Sequence, residues 1–193
     1  MNPILQLALD AYIRPRIAVR AVMNRLSGPE GLAILFGLAY CANVITAMVF
    51  GAQFSPEGEA PGAFGIIVST FFVSLFTLAV FSGIVTGIGR LFGGSGGFLT
   101  VALGLSWLQL ISSVFNAVMP KSQDDILRPL PDGTFEMAFE TSFLIAGLIS
   151  LYLFVNVVAE VHQFKSAWKV LGVMIGSIFS LVILFTLIGA GGV

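Results

Sequence analysis

Charged residues are scarce in this sequence. Only 10% of the 193 residues are Asp, Glu, Lys or Arg, whereas a soluble domain carries about 25%. A soluble fold needs charged groups to cover its surface, so the deficit indicates that most of this surface faces something other than water. The formal net charge of −1 is too small to create a field that recruits nucleic acid. Both observations favour a membrane protein and argue against a nucleic-acid partner.

Cysteine and histidine are almost absent as well. The chain has one cysteine, Cys41, and one histidine, His162. A lone cysteine cannot form an internal disulfide, and no paired-cysteine metal motif is present. His162 has one carboxylate beside it, Glu160, and two ligands are too few for a closed metal site. The sequence therefore predicts no metal ion and no cofactor.

What the chain does contain is apolar segments, since 57% of its residues are hydrophobic. Five segments each have about the 20 residues that a helix needs to cross a hydrocarbon core of about 30 Å. The ten-residue alternation that is typical of a membrane β-barrel is absent, and lipid cannot satisfy exposed backbone groups, so helices are expected. The predicted fold is an all-α bundle of five transmembrane helices. The predicted spans are residues 31–50, 64–88, 98–118, 142–161 and 170–188.

The segment before the first span contains a basic amphipathic helix at residues 15–26. Arg16, Arg20 and Asn24 recur at intervals of four and share one helix face. A basic helix beside a membrane span usually lies in the lipid interface, where arginine reaches anionic headgroups. Packing of its apolar side on the bundle is the alternative. The predicted domains are a cytoplasmic interfacial segment at 1–30 and a transmembrane domain at 31–193.

Lysine and arginine are distributed unevenly between the two sides of the predicted bundle. The cytoplasmic side of a membrane protein is the side rich in these residues. The side that holds the N-terminus carries seven of them and the opposite side carries two, so the N-terminus is predicted to be cytoplasmic and the C-terminus periplasmic. The seven are Arg14, Arg16, Arg20, Arg25, Arg90, Lys165 and Lys169, and the two are Lys121 and Arg128.

No charged residue lies near the centre of any predicted span, which counts against a proton relay, a voltage sensor or an ion-coupled transporter. Among the amides that lie within spans, three are candidates for a polar function. Gln109 and Asn116 are seven residues apart in the third span and share a face, and Asn156 lies in the fourth. Because a polar amide in hydrocarbon needs a partner, these three residues either form interhelical hydrogen bonds or line a polar groove for a lipid or solute.

The glycine-rich turn before the third span allows two functional interpretations. Its glycines leave backbone N–H groups exposed where a helix begins, which favours an anion. With Arg90 just before the turn, this predicts lipid-headgroup contact at Arg90, Gly94 and Ser95, in addition to Arg16 and Arg20.

The second interpretation is catalytic. The turn is similar to the G-x-S-G pattern of rhomboid intramembrane proteases, in which a histidine activates the serine. Ser95 and His162 fall on the same predicted side. Rhomboids, however, cut from a cavity reached from the other face, and such turns are common between spans.

Pairs of glycines four residues apart predict where helices pack. Burying leucine gains little between helices in lipid, so close backbone approach matters instead. Gly83 and Gly87 form such a pair in the second span, and Gly172 and Gly176 form one in the fifth. These pairs are predicted to be contacts within the chain or between copies of it.

Three short stretches together carry a family resemblance. YIRPR at residues 12–16 opens a helix before the first span, GGSGGF at 93–98 opens the third, and FKSA at 164–167 joins the fourth to the fifth. This layout resembles the YIP domain family, five-span proteins named for eukaryotic members that bind Ypt/Rab GTPases. Eukaryotic relatives have a long cytosolic N-terminal region, whereas only about 30 residues precede the first span here. The resemblance therefore implies a bacterial member in the inner membrane, for which no GTPase binding follows.

Taken together, these features predict a non-enzymatic multi-pass membrane protein. Its expected role is to organise membrane lipids or partner membrane proteins, including copies of itself. A lipid scramblase, transporter or channel with a polar groove between helices is the alternative, and an intramembrane serine hydrolase is a third. A polar groove that reaches Gln109 favours the second interpretation, and a dry closed core favours the first.

Overall fold

The computed structural model describes residues 3–54, 62–118, 127–129, 135–137 and 141–190. Helices make up almost all of this part of the chain, as the composition predicts. The elements are α1 (Pro3–Ile13), α2 (Pro15–Arg25), α3 (Gly28–Phe54), α4 (Ala63–Leu91), α5 (Phe98–Val118), β1 (Leu127–Pro129), β2 (Phe135–Met137), α6 (Thr141–Val161) and α7 (Ala167–Ala190).

Three helical segments are long and apolar enough to cross a membrane, namely Gly28–Met48, Ala63–Leu91 and Leu144–Val161. Two shorter apolar helical segments are Phe98–Val114 and Trp168–Ile183. The prediction of long apolar helices is confirmed, and three of them are candidate membrane spans. That all five cross the membrane stays a prediction.

The two short strands were not predicted. β1 and β2 form an antiparallel pair in which Arg128 lies opposite Glu136. Three-residue strands inside a polar segment leave too weak a pattern for sequence analysis to detect.

The helix α2 packs against the bundle, on α5 and α6. Its buried residues are Pro15, Ala18, Val19 and Val22, the i, i+3, i+4, i+7 spacing of one helix face. Ile17 is 54% exposed, so the side turned away from the bundle is not purely polar. Packing, which was the alternative interpretation of this segment, is present, and its interfacial placement stays a prediction.

The helix α5 lies at the centre of the bundle and contacts α2, α3, α4 and α6. Every residue from Val101 to Trp107 is buried. Gly104 lets α6 approach closely, because an added Cβ would lie 3.1 Å from Val157 Cγ1 and would collide with Val161. A residue with no side chain is needed where two helices are this close.

The helix α4 turns a polar, small-residue face toward the bundle and an apolar face outward. Its buried residues include Ser74, Ser82 and Thr86, while Phe72 and Phe76 are 64% and 59% exposed. This arrangement is the reverse of a soluble helix and is what a helix surrounded by hydrocarbon requires. The outward face of α4 is therefore suited to contact lipid.

The predicted glycine pairs have different surroundings. Gly172 and Gly176 lie against α4, where an added Cβ would be 2.7 Å from the Phe92 ring and 3.0 Å from Ile88 Cγ2. Gly83 and Gly87 are exposed, and no described atom lies within 4 Å of an added Cβ. Contact of the second pair with another molecule stays a prediction.

Candidate functional site

A cavity that we call the polar groove lies between α3, α4 and α5. Its volume is about 350 Å³. Val73 is its one purely apolar lining residue, and none of its lining residues is charged. The polar groove is lined by Asn43, Ser69, Thr70, Val73, Ser74, Thr77 and Gln109.

The polar side chains of the groove fall into two groups. Ser113 Oγ lies 2.5 Å from Asn43 Oδ1 and 2.8 Å from the Gln109 carbonyl, so its one hydroxyl proton is shared between these two acceptors. Ser69 Oγ donates to carbonyls of its own helix. By contrast, no side-chain hydrogen bond to another described residue engages Thr70, Ser74, Thr77 or Gln109. Those four side chains retain unused hydrogen-bonding capacity at the groove.

A second cavity, the apolar pocket, adjoins the groove between α4 and α5. Its volume is about 280 Å³. It shares Thr77 and Gln109 with the polar groove, so the two cavities meet at these side chains. Thr77 is the central residue of α4. The apolar pocket is lined by Thr77, Leu78, Phe81, Leu105, Leu108, Gln109 and Ser112.

The three predicted intramembrane amides do not converge. Gln109 lies in the polar groove, as the groove interpretation requires. Asn156 Nδ2 donates instead to the carbonyl of Tyr152 in its own helix, at 2.8 Å, and it lines neither cavity. The side chain of Asn116 lies outside the described residues. Asn43, Ser74 and Thr77 were not predicted as groove residues. The pattern of apolar residues along α3 and α4 does not show which faces of the two helices meet.

The histidine occupies a socket of glycines at one end of the bundle. His162 follows α6 and is 1% exposed. An added Cβ on Gly94 would lie 2.5 Å from His162 Nδ1, one on Gly96 would lie 2.9 Å from the same atom, and one on Gly89 would collide with the ring. Phe164 stacks on the imidazole with ring centroids 5.3 Å apart. The glycine-rich turn is thus shaped around one aromatic side chain.

The imidazole is held neutral in this socket. Burial lowers the pKa of His162, and the nearby charge of Arg90 lowers it further. The backbone of Val85 acts in the opposite direction and raises the pKa. It forms no hydrogen bond with the ring by geometry, since neither ring nitrogen has a hydrogen-bond partner in the described part of the chain. A protonated ring would carry a buried charge with no acceptor.

The hydrolase interpretation needs a hydrogen bond between the hydroxyl of Ser95 and the imidazole of His162, and this bond is not formed. The backbone amide of Ser95 donates to the His162 carbonyl at 3.3 Å, while both ring nitrogens lack a partner among the described residues. A nucleophilic serine requires a base within hydrogen-bond reach. The two residues are neighbours through the backbone, but the Ser95 hydroxyl and the imidazole are not hydrogen-bonded to each other.

Three amides of the glycine-rich turn donate hydrogen bonds within the chain. Gly93 N–H donates to the Arg90 carbonyl at 2.9 Å and Gly94 N–H to the Gly89 carbonyl at 2.8 Å. With the Ser95 amide bonded as well, the N–H groups of these three residues are engaged within the chain. Contact of Arg90, Gly94 and Ser95 with a lipid headgroup stays a prediction, and it depends on the exposed side chain of Arg90.

Two arginines of α2 converge on one carboxylate at the end of α6. Arg20 binds Glu160 in a bidentate pair, with Nε–Oε1 of 2.6 Å and Nη2–Oε2 of 3.1 Å. Arg16 Nε lies 3.6 Å from Glu160 Oε2, and its Nη2 donates to the Phe164 carbonyl at 2.7 Å. We call these four residues the α2–α6 clasp. The Arg20 side chain is 65% exposed, so a headgroup contact for Arg16 and Arg20 stays a prediction.

Comparison with known proteins gives one match. A family model described as Yip1 domain matches residues 9–188, a range that extends from α1 into α7. No curated protein matches the chain, and no solved structure matches it. The match is to a domain family as a whole and not to a characterised relative.

Proposed function

The chain belongs to the Yip1 domain family, and on that premise we propose that it is a non-enzymatic membrane protein that organises lipids by seating one in the groove between α3, α4 and α5. The observation that carries this proposal is the polar groove itself. Four of its side chains have no hydrogen-bond partner among the described residues, and a polar group at membrane depth needs one.

The proposed topology is five spans with the N-terminus in the cytoplasm of a bacterium. The helices α5 and α7 have 21 and 24 residues, about 31 and 36 Å at 1.5 Å per residue, which is enough to cross a bilayer. Two contacts support one common basic end. Arg16 donates a hydrogen bond to the Phe164 carbonyl in the α6–α7 turn. Lys169 lies beside Gly93 in the α4–α5 turn, with its Nζ 3.5 Å from the position that a Cβ on Gly93 would take.

This topology sets the depth of the groove. Thr77 and Gln109 are central in α4 and α5, so both would lie near the bilayer midplane. Ser69 is about 12 Å nearer the periplasmic side along α4. The polar lining would therefore open from the midplane toward the periplasmic leaflet, while the apolar pocket continues toward the cytoplasmic side.

A polar groove that reaches Gln109 is the observation that was expected to favour a scramblase, transporter or channel. We nevertheless propose a seat for lipid over a transbilayer path, because the polar lining stops at the midplane. Beyond Thr77, the pocket is lined mainly by Leu78, Phe81 and Leu105. A scramblase or channel needs polar groups through both leaflets, so it stays the alternative. Accelerated dithionite bleaching of NBD-labelled lipid in proteoliposomes would favour that alternative.

The proposal is tested by labelling all lipid classes at once. Cells that express the protein are fed a fatty acid that bears a diazirine and an alkyne, and are then irradiated. The labelled peptides of the protein are mapped afterwards. We expect the label on α4 and α5 around Phe81 and Leu105 to fall in Gln109→Leu, because the headgroup loses an amide partner. The label on the exposed α7 face is expected to be unchanged.

The matched control is Asn156→Leu, which removes the same amide from a helix position outside both cavities. An equal loss of label in Asn156→Leu and Gln109→Leu would contradict the proposal. So would groove labelling that does not respond to Gln109→Leu in a variant that elutes as the wild type does. Partner membrane proteins or self-association stay predictions beside this lipid role.

A further inference from the structure

We infer that the seated lipid has an uncharged, hydroxyl-bearing headgroup, as a diacylglycerol or a glycosylated diacylglycerol does. This inference rests on the proposed function and names the chemical class of its ligand. The polar groove would hold the headgroup hydroxyls, and the apolar pocket would hold the first part of an acyl chain.

The charge of the lining excludes a phosphate as the best-fitting group. All seven residues of the polar groove are neutral, and so are all seven of the apolar pocket. On α4 the cation that lies closest to Thr77 is Arg90, about 20 Å away along the helix axis. An anionic headgroup drawn to this depth would have no counter-charge, which is costly within hydrocarbon.

The hydrogen-bonding groups of the lining suit hydroxyls. Ser74 is only 6% exposed, lines the groove and makes no side-chain hydrogen bond to a described residue. Thr70 and Thr77 add two more hydroxyls, and Gln109 adds an amide. A ligand hydroxyl both donates and accepts, so it can pair with any of these groups without bringing charge.

The joined shape of the two cavities favours an amphiphile over a soluble polar compound. The apolar pocket offers about 280 Å³ beside Leu78, Phe81 and Leu108, and an apolar cavity of this kind does not hold water well. A free sugar or polyol would leave it empty. A lipid fills both cavities with its headgroup on one side of Thr77 and Gln109 and its hydrocarbon on the other.

The opening of the groove lies toward lipid. Ser69, Val73 and Thr77 are exposed on α4, next to the outward phenylalanines of the same helix. Val73 is 63% exposed. A lipid can therefore enter sideways from the bilayer without passing through the bundle.

The test compares two photoreactive lipids with identical diazirine acyl chains, a diacylglycerol and a phosphatidylglycerol. Each is added at the same trace level to the full chain in nanodiscs of unlabelled phosphatidylcholine, and labelling of α4–α5 peptides is counted after irradiation. We expect several-fold more groove labelling by the diacylglycerol. Thr77→Val, which keeps the side-chain shape, should lower that labelling roughly three- to tenfold, as the loss of one hydrogen bond does.

The matched control is Thr186→Val on α7, where the exposed hydroxyl bonds only the Val182 carbonyl of its own helix; its labelling should equal that of wild type. Equal or stronger groove labelling by phosphatidylglycerol would overturn the headgroup assignment and leave the lipid seat standing. Groove labelling by neither probe would overturn both the assignment and the proposed function. Equal loss in Thr77→Val and Thr186→Val would overturn the role of the groove hydroxyls.

Discussion

A single histidine determines which residue can stand at three other positions. Gly89, Gly94 and Gly96 are far from His162 in sequence, yet each would place a Cβ against its ring. Backbone conformation does not require glycine at positions 94 and 96, since in this turn the residue with a positive φ is Gly93, at 78°. Space, and not a left-handed backbone, is the reason for glycine at these positions: at 94 the space is needed mainly for the imidazole, and at 96 for the Val161 carbonyl and the imidazole together.

Adding one methyl group in the socket should destabilise the protein. Gly94→Ala places a Cβ 2.5 Å from His162 Nδ1 and 2.9 Å from the Gly89 carbonyl, and overpacking of this kind costs about 1–3 kcal/mol. We expect a lower midpoint in thermal unfolding followed in detergent by tryptophan fluorescence.

Gly97→Ala is the control for that experiment, because no described atom lies within 4 Å of an added Cβ there. It lies in the same turn and makes the same chemical change. Equal destabilisation by the two variants would show that the turn needs glycine for its backbone and not for the histidine.

The helix α2 is held to the bundle by the α2–α6 clasp, which joins residues that are far apart in the sequence. Glu160 lies 140 residues from Arg20 and accepts both of its bonding nitrogens, and the pairing raises the pKa of Arg20. In the preceding helix α1, Tyr12 donates to the Ile111 carbonyl at 3.1 Å and so connects α1 to α5. The orientation of α2 therefore depends on named contacts as well as on its buried apolar face.

Removing the clasp's carboxylate charge should loosen α2 while the bundle stays folded. In Glu160→Gln the amide cannot bind both arginines as a carboxylate does, so we expect faster hydrogen exchange at the amides of residues 15–25 in nanodiscs. Exchange in α5 should not change. Glu30→Gln is the control, since no ion pair of Glu30 occurs in the described residues; equal acceleration by both variants would contradict the clasp.

The helices themselves were the part that sequence could predict. Long apolar segments identify them, and α5, at Phe98–Val118, coincides with the predicted segment 98–118. The contacts between helices were not predictable. Whether Gln109 faces Asn43 or Asn156 depends on helix rotations that hydropathy does not encode, and the Arg20–Glu160 pair has no local signal. The glycines of the turn did indicate a close approach, but the sequence did not show that His162 is what approaches.

Across the whole molecule, the neutral histidine links stability to pH. Its pKa is lowered in the folded state from an ordinary value of 6.5, so the unfolded chain binds more protons than the folded one just below pH 6.5. The free energy of unfolding then rises with pH in that window and is constant above it. Stability from this group is complete above pH 6.5 and is lost as the pH falls toward the folded-state pKa.

This linkage predicts that the thermal midpoint falls when the pH is lowered from 7.5 to 5.0. His162→Gln has no imidazole to titrate, so its midpoint should change less over the same range, even if its value at pH 7.5 is lower. Parallel curves for the two proteins would contradict a role for His162. Measurements in one detergent and at fixed ionic strength keep other contributions equal.

The order in which the chain is made gives the glycine socket a further consequence. Residues 89–96 leave the ribosome well before His162 does, so the glycines of the socket are synthesised before the ring that occupies it. The α4–α5 turn can form early, whereas His162, which follows α6, can pack only against a turn that has already formed. We therefore expect docking of His162 to be a late step of folding, since the ring can be seated only after the α4–α5 turn has formed.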